Sequence, residues 1–363
     1  MERIRWVNAG EVSSWRSQSI YHGLAYAQNK DSGNTIALAI PSEPYVCLGY
    51  FQDAAQEFDL GYCAKNNLPV IRRETGGGGV YIDRNQLFVQ WVFQKKDVPT
   101  HVNDRFEWFL KPMIETYRFF GIDAYYYPVN DVHVNGRKIV GTGAAMIGEA
   151  EVLTGNFILD FNIEAFYNTL NLPNETFKKL VQTSLKEYMG NMKEDGAEFP
   201  KISQLISKYK TFCEAHLKQD IVESNHFTWE EEDWMLKVEK KFKSPQWLAQ
   251  TSSPSQKVKV LKIHAGVWVL WAAGTILNQP VEIMLRVREN TLDQVVLEKV
   301  GEERLGFNSN EFNEYMMGTS FEELKFKKHL TYFFRNRELE GMIDDWIGLF
   351  LIIKNEWKKK GGG

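Results

Sequence analysis

Cysteine is scarce: three residues in 363, Cys47, Cys63 and Cys213, far apart and without a CxxC pair. That excludes a disulfide framework or a thiolate zinc site and fits reduced thiols in the cytosol. Long apolar runs are missing as well. A membrane span needs roughly 18 apolar residues, and the nearest approach, Trp346 to Ile353, reads as a buried strand or helix segment. The opening Met1-Glu2-Arg3-Ile4-Arg5-Trp6 has no apolar core of a secretory signal, so a cytoplasmic location and no membrane partner are expected. Neither charge sign dominates. Lys and Arg number 43 against 47 Asp and Glu, a net charge of -4, which supplies no drive toward nucleic acid. The seven histidines form no HxxxH or carboxylate-paired cluster, which argues against a dedicated catalytic metal site. Gly-x-Ser-x-Gly is absent too, so a nucleophile-elbow hydrolase finds no support.

What is present is a globular composition. Apolar residues make up 44%, charged residues 25% and aromatics 13%, over a length that fits two to three domains. Thr35 to Ile40 and Tyr45 to Gly49 read as strands broken by Pro41, Ser42 and Pro44, and Leu87 to Phe93 reads as another. Asn66 to Arg73 leads from a helix end into a short strand. Asn103 or Asp104 can cap a helix carrying Phe106, Phe109, Leu110, Met113, Ile114 and Tyr117 at helical spacing, ended by Gly121. Asn135-Gly136, flanked by Val132-His133-Val134 and Lys138-Ile139-Val140, is a hairpin signal because both residues tolerate positive φ. From Ile163 to Lys241 the text turns helical and lysine-rich, with loops at Gly190 to Pro200 and Ser224 to Thr228. Ser252 to Gln256 is linker-like. Beyond it, Lys257 to Val269 and Val281 to Arg288 read as strands, and Phe307 to Met317 and Glu338 to Ile347 as helices. The expected division is a catalytic domain over 1–241 and a smaller α+β domain over 242–363, its Lys358 to Gly363 tail frayed.

Two stretches carry chemistry. In Arg72-Arg73-Glu74-Thr75-Gly76-Gly77-Gly78-Gly79, four glycines allow successive N–H groups to close on an anion. The arginines add fixed charge for phosphate or carboxylate. A flexible hairpin loop with surface arginines is the plain alternative. No Gly-Lys-Ser/Thr follows, so this is not a Walker loop, and Gly141-Thr142-Gly143 does not continue into GxGxxG. In Asn130-Asp131-Val132-His133-Val134-Asn135-Gly136-Arg137-Lys138, the hairpin puts Lys138 on a strand, where it can neutralise charge on a reacting oxygen. Asp131 can hold a hydrated Mg2+, which takes one or two protein carboxylates. Solvated residues beside a turn are the alternative here.

Arg-Arg-x-Thr-Gly-Gly-Gly followed by Asn-Asp and Gly-Arg-Lys-Ile-Val-Gly-Thr resembles the lipoate–protein ligase A family, whose members share a fold with biotin protein ligases. The likeness covers about residues 1 to 205. It includes Gly49-Tyr50-Phe51-Gln52, where the family has Gly-x-x-Gln, and Thr154-Gly155-Asn156-Phe157-Ile158, where it commonly has His-Gly-Thr-Leu-Leu; it is weaker over Phe199 to Leu205. The resemblance implies an α+β fold, a mixed sheet with flanking helices, and a fused C-terminal accessory domain. It implies that ATP converts lipoate or octanoate to an acyl-AMP such as lipoyl-AMP, and that a lysine of a lipoyl-carrier protein then takes the acyl group as an amide. By resemblance, Lys138 stabilises charge in both steps and is not itself acylated. Arg73 binds the acyl or phosphate end with Arg72 in support, Gly76, Gly77, Gly78 and Gly79 wrap the adenylate, and Thr75 supplies a hydroxyl. Asn130 and Asp131 face the nucleotide and Mg2+, and Gln86, Thr142 and Gly155 complete the binding set. Val80, Val89 and Trp91 are candidates for an acyl tunnel or ordinary core.

Three positions depart from the family: Ile82 replaces a His, Gln86 ends Arg84-Asn85-Gln86 where x-Gly-Asn is usual, and Thr154 replaces a His. Each removes a polar group, which keeps open a transferase that lacks efficient ATP activation. A cysteine-thioester octanoyl or lipoyl transferase needs an accessible thiolate, and no cysteine lies between Cys63 and Cys213. Biotin ligation and a non-catalytic lipoyl-domain binding module are the remaining alternatives.

Overall fold

The computed structural model describes residues 3–196, 200–251, 257–298 and 305–362. The linker-like Ser252 to Gln256 and Phe199 lie outside the described residues, as does the last residue of the tail. The chain divides into two units, Met1–Asn171 with Tyr188–Ser253, and Leu172–Glu187 with Pro254–Gly363.

The first unit holds β1 (Ile4–Val12), β2 (Thr35–Pro41), β3 (Tyr45–Leu48), β4 (Val70–Arg72), β5 (Val80–Ile82), β6 (Gln86–Gln94), β7 (Tyr125–Tyr127), β8 (Asp131–Val134), β9 (Arg137–Val140), β10 (Thr142–Ile147), β11 (Ala150–Ile158) and β12 (Ile221–Ser224). Six of these form a mixed sheet in the order β10-β11-β6-β2-β1-β12, while β4-β3-β5 and β7-β8-β9 form two small sheets. The run Gln86 to Gln94 is buried along its whole length because both faces of the large sheet are covered. Leu87, Val89, Trp91 and Phe93 enter one core with residues of the Val102–Phe119 and Ile202–Leu217 helices. Phe88 and Val92 enter a second core under the Ser14–Ala27 helix. Val89 and Trp91 are therefore core packing, Trp91 donating its indole N–H to Tyr209 at 2.8 Å.

The Ser14–Ala27 helix has no sequence signature beyond its Ser13 cap, since ten of its residues are buried and many are polar, including Ser17, Gln18, Ser19 and His22. It packs on the Trp229–Phe242 helix, which opens with a Thr228–Glu231 capping box. Arg16 joins the pair through Glu232 at 2.6 Å and Glu239 at 2.8 Å. This packing keeps residues beyond 241 with the first unit: the helix runs on to Phe242, and the short Pro245–Leu248 helix follows it. The Val102–Phe119 helix starts earlier than its expected Asn103 or Asp104 cap, with His101 at the N-cap and no side-chain cap bond. The Asn135-Gly136 turn forms as expected, with φ of 50° and 76° and Val134 paired to Arg137.

In the second unit β13 (Val258–His264), β14 (Val267–Ile276), β15 (Gln279–Arg288) and β16 (Thr291–Glu298) form an antiparallel meander in sequence order. The strand expected over Lys257 to Val269 is two strands, because Gly266 turns the chain at φ +83°. The Ser309–Met316, Glu323–Arg335 and Ile343–Lys359 helices share a core with this sheet. The Trp346 to Ile353 run lies in the last helix, whose Trp346, Phe350 and Ile353 point into that core. The helix expected over Glu338 to Ile347 is a 3-10 turn at Glu340–Met342 and then the start of the last helix at Ile343.

Candidate active site

The glycine loop is built on Arg73. Its guanidinium, 7% exposed, donates to Thr75 Oγ1 at 2.9 Å, to Cys47 O at 3.3 Å, and to Gly76 O and Gly78 O at 2.8 and 2.9 Å. Because a trans peptide directs its N–H opposite to its C=O, drawing these carbonyls onto Arg73 turns the N–H groups of Gly77 and Gly79 away from the guanidinium. That is how a nest for anions is made. Gly77 has φ +97°, and a Cβ on Gly49 would lie 2.2 Å from Gly77 O, so neither position accepts a side chain without moving the loop. A Cβ on Gly76 or Gly78 would meet nothing within 4 Å, so the loop borders open space. Gly79 rests on the Phe58 ring.

Arg72 has a different part from the expected one. Its side chain is completely buried, and its N–H groups go to backbone carbonyls: Tyr50 at 2.7 Å, Gln52 at 2.6 Å, Gly49 at 3.4 Å, Trp247 at 3.1 Å and Leu248 at 2.8 Å. Trp247 returns an indole N–H to Arg72 O at 2.9 Å. A guanidinium so occupied braces the chain and has no free edge for a ligand.

Between Arg72–Arg73 and Thr75, Glu74 is clamped at both ends. Its carboxylate takes bonds from Tyr26 Oη at 2.7 Å and from Lys241 Nζ; burial works to raise it, but the nearby His22 together with these two partners holds it below the ordinary carboxylate range. Its backbone N–H donates to His22 Nε2 at 3.2 Å. His22 Nδ1 lies 2.6 Å from Gln18 O, which can only accept, so Nδ1 carries the proton and Nε2 is the acceptor. Burial pushes the His22 imidazole down to about 4. Sequence reasoning gave His22 no part, since it has no neighbouring motif in the chain to mark it.

The hairpin motif forms a second group. Asp131, completely buried on β8, holds Lys138 Nζ of β9 at 2.8 Å, while the lysine stays 17% exposed. The Lys138 carbonyl accepts from Gly190 N–H at 2.8 Å, and His133 stacks on Tyr127 with ring centroids 4.3 Å apart. Asn130 and Thr142 clasp each other, the Asn130 amide donating to Thr142 Oγ1 at 2.9 Å. The carboxylate expected to face Mg2+ is thus turned to Lys138, with His133 Nε2 3.9 Å away, so one of the seven histidines does lie beside a carboxylate.

Strand β10 links the two groups. Thr142 holds Asn130, and the next residue, Gly143, has Thr154 Oγ1 and Thr75 Oγ1 at 3.1 and 3.2 Å from where its Cβ would be. Gly143 is opposite Thr154 in the ladder, so Thr154 stands on the glycine-loop face of the sheet. Gly155 looks the other way, toward Phe109 and Met113, as a packing glycine under the Val102–Phe119 helix. Gln86 is spent on Tyr81 O at 3.0 Å, which closes the β5–β6 turn, and Ile82 is core, packed with Tyr45, Cys47 and Ile71. All three cysteines are buried and their thiols are raised, Cys63 to about 11. None is an accessible thiolate.

Comparison with known proteins bears on the family and the fold. The family described as lipoyl protein ligase A/B catalytic domain matches residues 20–212, just over half the chain. Among relatives, lipoate-protein ligase A subunit 1 of Thermoplasma acidophilum is 29% identical over 157 residues, 40% of this chain and 59% of that protein. Lipoate–protein ligase 2 of Staphylococcus aureus is 27% identical over 215 residues, 56% of this chain and 61% of that protein. An octanoyltransferase of Geobacillus kaustophilus is also similar, 25% identical over 168 residues, 40% of this chain and 60% of that protein. The match therefore spans about 60% of the length of these relatives. A solved bipartite lipoate protein ligase from T. acidophilum, described with its E2 lipoyl domain, shares the fold at TM-score 0.64, with 22% identity over 70% of this chain and 99% of that one. A P. falciparum structure in complex with lipoate covers 96% of this chain and 99% of its own at TM-score 0.55 and 13% identity. Among the described residues no helix is long and apolar enough to cross a membrane. With the glycine loop, the Asp131–Lys138 pair and the mixed sheet in place, the chain belongs to the lipoyl protein ligase A/B catalytic domain family.

Proposed function

We propose that this protein is an ATP-dependent lipoate–protein ligase. In the first half-reaction the carboxylate of lipoate or octanoate attacks the α-phosphorus of ATP and pyrophosphate leaves. In the second, a lysine amine of a lipoyl-carrier protein attacks the acyl carbonyl and AMP leaves. The observation that carries this reading is the Lys138 ammonium, fixed by a buried carboxylate at 2.8 Å and still partly exposed, on the hairpin that β10 joins to the glycine loop. A cation held in place ahead of reaction stabilises oxygen charge in both steps. Arg73 shapes the loop, whose Gly77 and Gly79 N–H groups receive phosphate oxygens. Mg2+ travels with ATP as part of the nucleotide substrate, and no step is assigned to a protein-held ion. The smaller unit is assigned an accessory part. Burial and raised thiols count against a cysteine-thioester octanoyltransferase.

The test is the intact mass of a lipoyl-carrier protein after incubation with enzyme, lipoate, Mg2+ and ATP, beside a tube supplied with preformed lipoyl-AMP. Modification in both tubes is expected. Modification with lipoyl-AMP alone identifies a transferase that has lost activation, and none in either tube, across several carriers, overturns the reading.

A further inference from the structure

Asn156 is a residue of the glycine-loop face to which the proposed chemistry gives no part. It lies on β11 two residues beyond Thr154, so its side chain leaves the same face of the sheet. Its backbone N–H donates at 3.2 Å to the carbonyl of Gly141, the residue that joins the Lys138 strand to β10. A Cβ on Gly141 would meet nothing within 4 Å, so this position too borders open space. The Asn156 side chain is 8% exposed, and its amide Nδ2 is buried without a hydrogen-bond partner. An amide donor buried in this way costs stability unless something supplies an acceptor. The neighbouring Thr154 hydroxyl is already turned to Gly143 O at 3.3 Å.

We infer that Asn156 is a substrate-binding residue whose amide N–H donates to an oxygen of the bound acyl-adenylate. The inference rests on the adenylate reading above and adds to it a donor from this chain's own β11. Thr154, where the resembled family has an imidazole, offers less reach, and Asn156 supplies the polar group one step further along the strand.

The experiment measures affinity for a non-hydrolysable octanoyl-sulfamoyl adenosine by calorimetry, with thermal melting alongside. Asn156→Leu is expected to weaken binding about tenfold, the loss of one buried hydrogen bond. Its melting temperature is expected to stay level or rise by about 2–4 °C, because the orphan donor is gone. Affinity within twofold of the unsubstituted protein overturns the inference, as does a fall in melting temperature together with affinity, which identifies a structural amide. Should Asn156→Leu not fold, the isosteric pair Asn156→Thr and Asn156→Val decides. The threonine keeps a donor and is expected to bind about fivefold tighter than the valine, and equal affinities overturn the inference. If the unsubstituted protein itself does not bind the analogue, the adenylate reading falls and the inference with it.

Discussion

At the scale of single residues, Asp131 and Lys138 make a pair whose two members answer to different measurements. Lys138→Ala is expected to slow amide formation from preformed lipoyl-AMP by roughly 10²–10³-fold. It also leaves the completely buried Asp131 without its ammonium, at a cost of about 3 kcal/mol in chemical denaturation. Adding Asp131→Asn is expected to recover most of that stability and none of the rate. His22 makes a separate prediction. Its folded pKa of about 4 lies below the ordinary 6.5, so the unfolded chain binds the proton first. The stability it contributes is complete above pH 6.5, declines as pH falls toward 4, and is gone below that; the shift corresponds to about 3 kcal/mol. Glu74, held low by its partners, adds a loss in the same direction at lower pH. Urea titrations from pH 7 to 4 should show the decline, and His22→Gln should flatten it. That Arg73 and Thr75 belong to the glycine loop and Lys138 to the hairpin strand was legible from the motif. The task of Arg72 was not, because the carbonyls that occupy it come from residues 49–52 and 247–248.

At the scale of elements, the stretch from Arg72 to Thr75 is held from outside its own strand. The Ser14–Ala27 helix offers His22 and Tyr26, the Trp229–Phe242 helix offers Lys241, and the Pro245–Leu248 helix ends on Arg72. Arg72→Lys keeps the charge but cannot fork to several carbonyls. It is expected to lower stability by about 2–3 kcal/mol and the melting temperature by about 5–10 °C, measured by calorimetry. The Asn135-Gly136 hairpin was readable because a two-residue turn is a local event. The Ser14–Ala27 helix was not, since it is enclosed between a sheet and another helix and so keeps no polar stripe.

At the scale of the whole molecule, the unit boundaries do not follow chain order. The Glu175–Tyr188 helix counts with the second unit, where Asn174 meets Glu282 at 2.5 Å, Thr176 meets Glu298 at 2.9 Å and Glu187 meets Arg286 at 2.7 Å. Its Phe177, Leu180, Val181 and Leu185 are buried. A chain ending at Gln250 removes those partners, and is expected to bind an apolar dye such as anilinonaphthalene sulfonate and to melt at lower temperature than the full chain. An unchanged dye signal would mean that the helix keeps its cover without residues 254–363.

The sequence by itself determined the family, the α+β class, the central strands and the two motifs, because each depends on contiguous residue types: four glycines that permit a nest, a turn pair that permits positive φ, runs of β-branched and aromatic residues. Only the tertiary structure decided which of those residues face the open space. Arg72 and Gln86 resemble ligand-binding groups in the text and are consumed by backbone carbonyls in the fold. Gly155 is a packing glycine, and Asp131 belongs to Lys138. His22 has no distinguishing neighbours in the chain, and Asn156 lies in a stretch that was read only for Thr154 and Gly155, yet one accepts the loop's N–H and the other holds a buried free donor. The physical reason is that a polar group's role is set by whichever partner reaches it first, and in a folded chain that partner is commonly dozens of residues away.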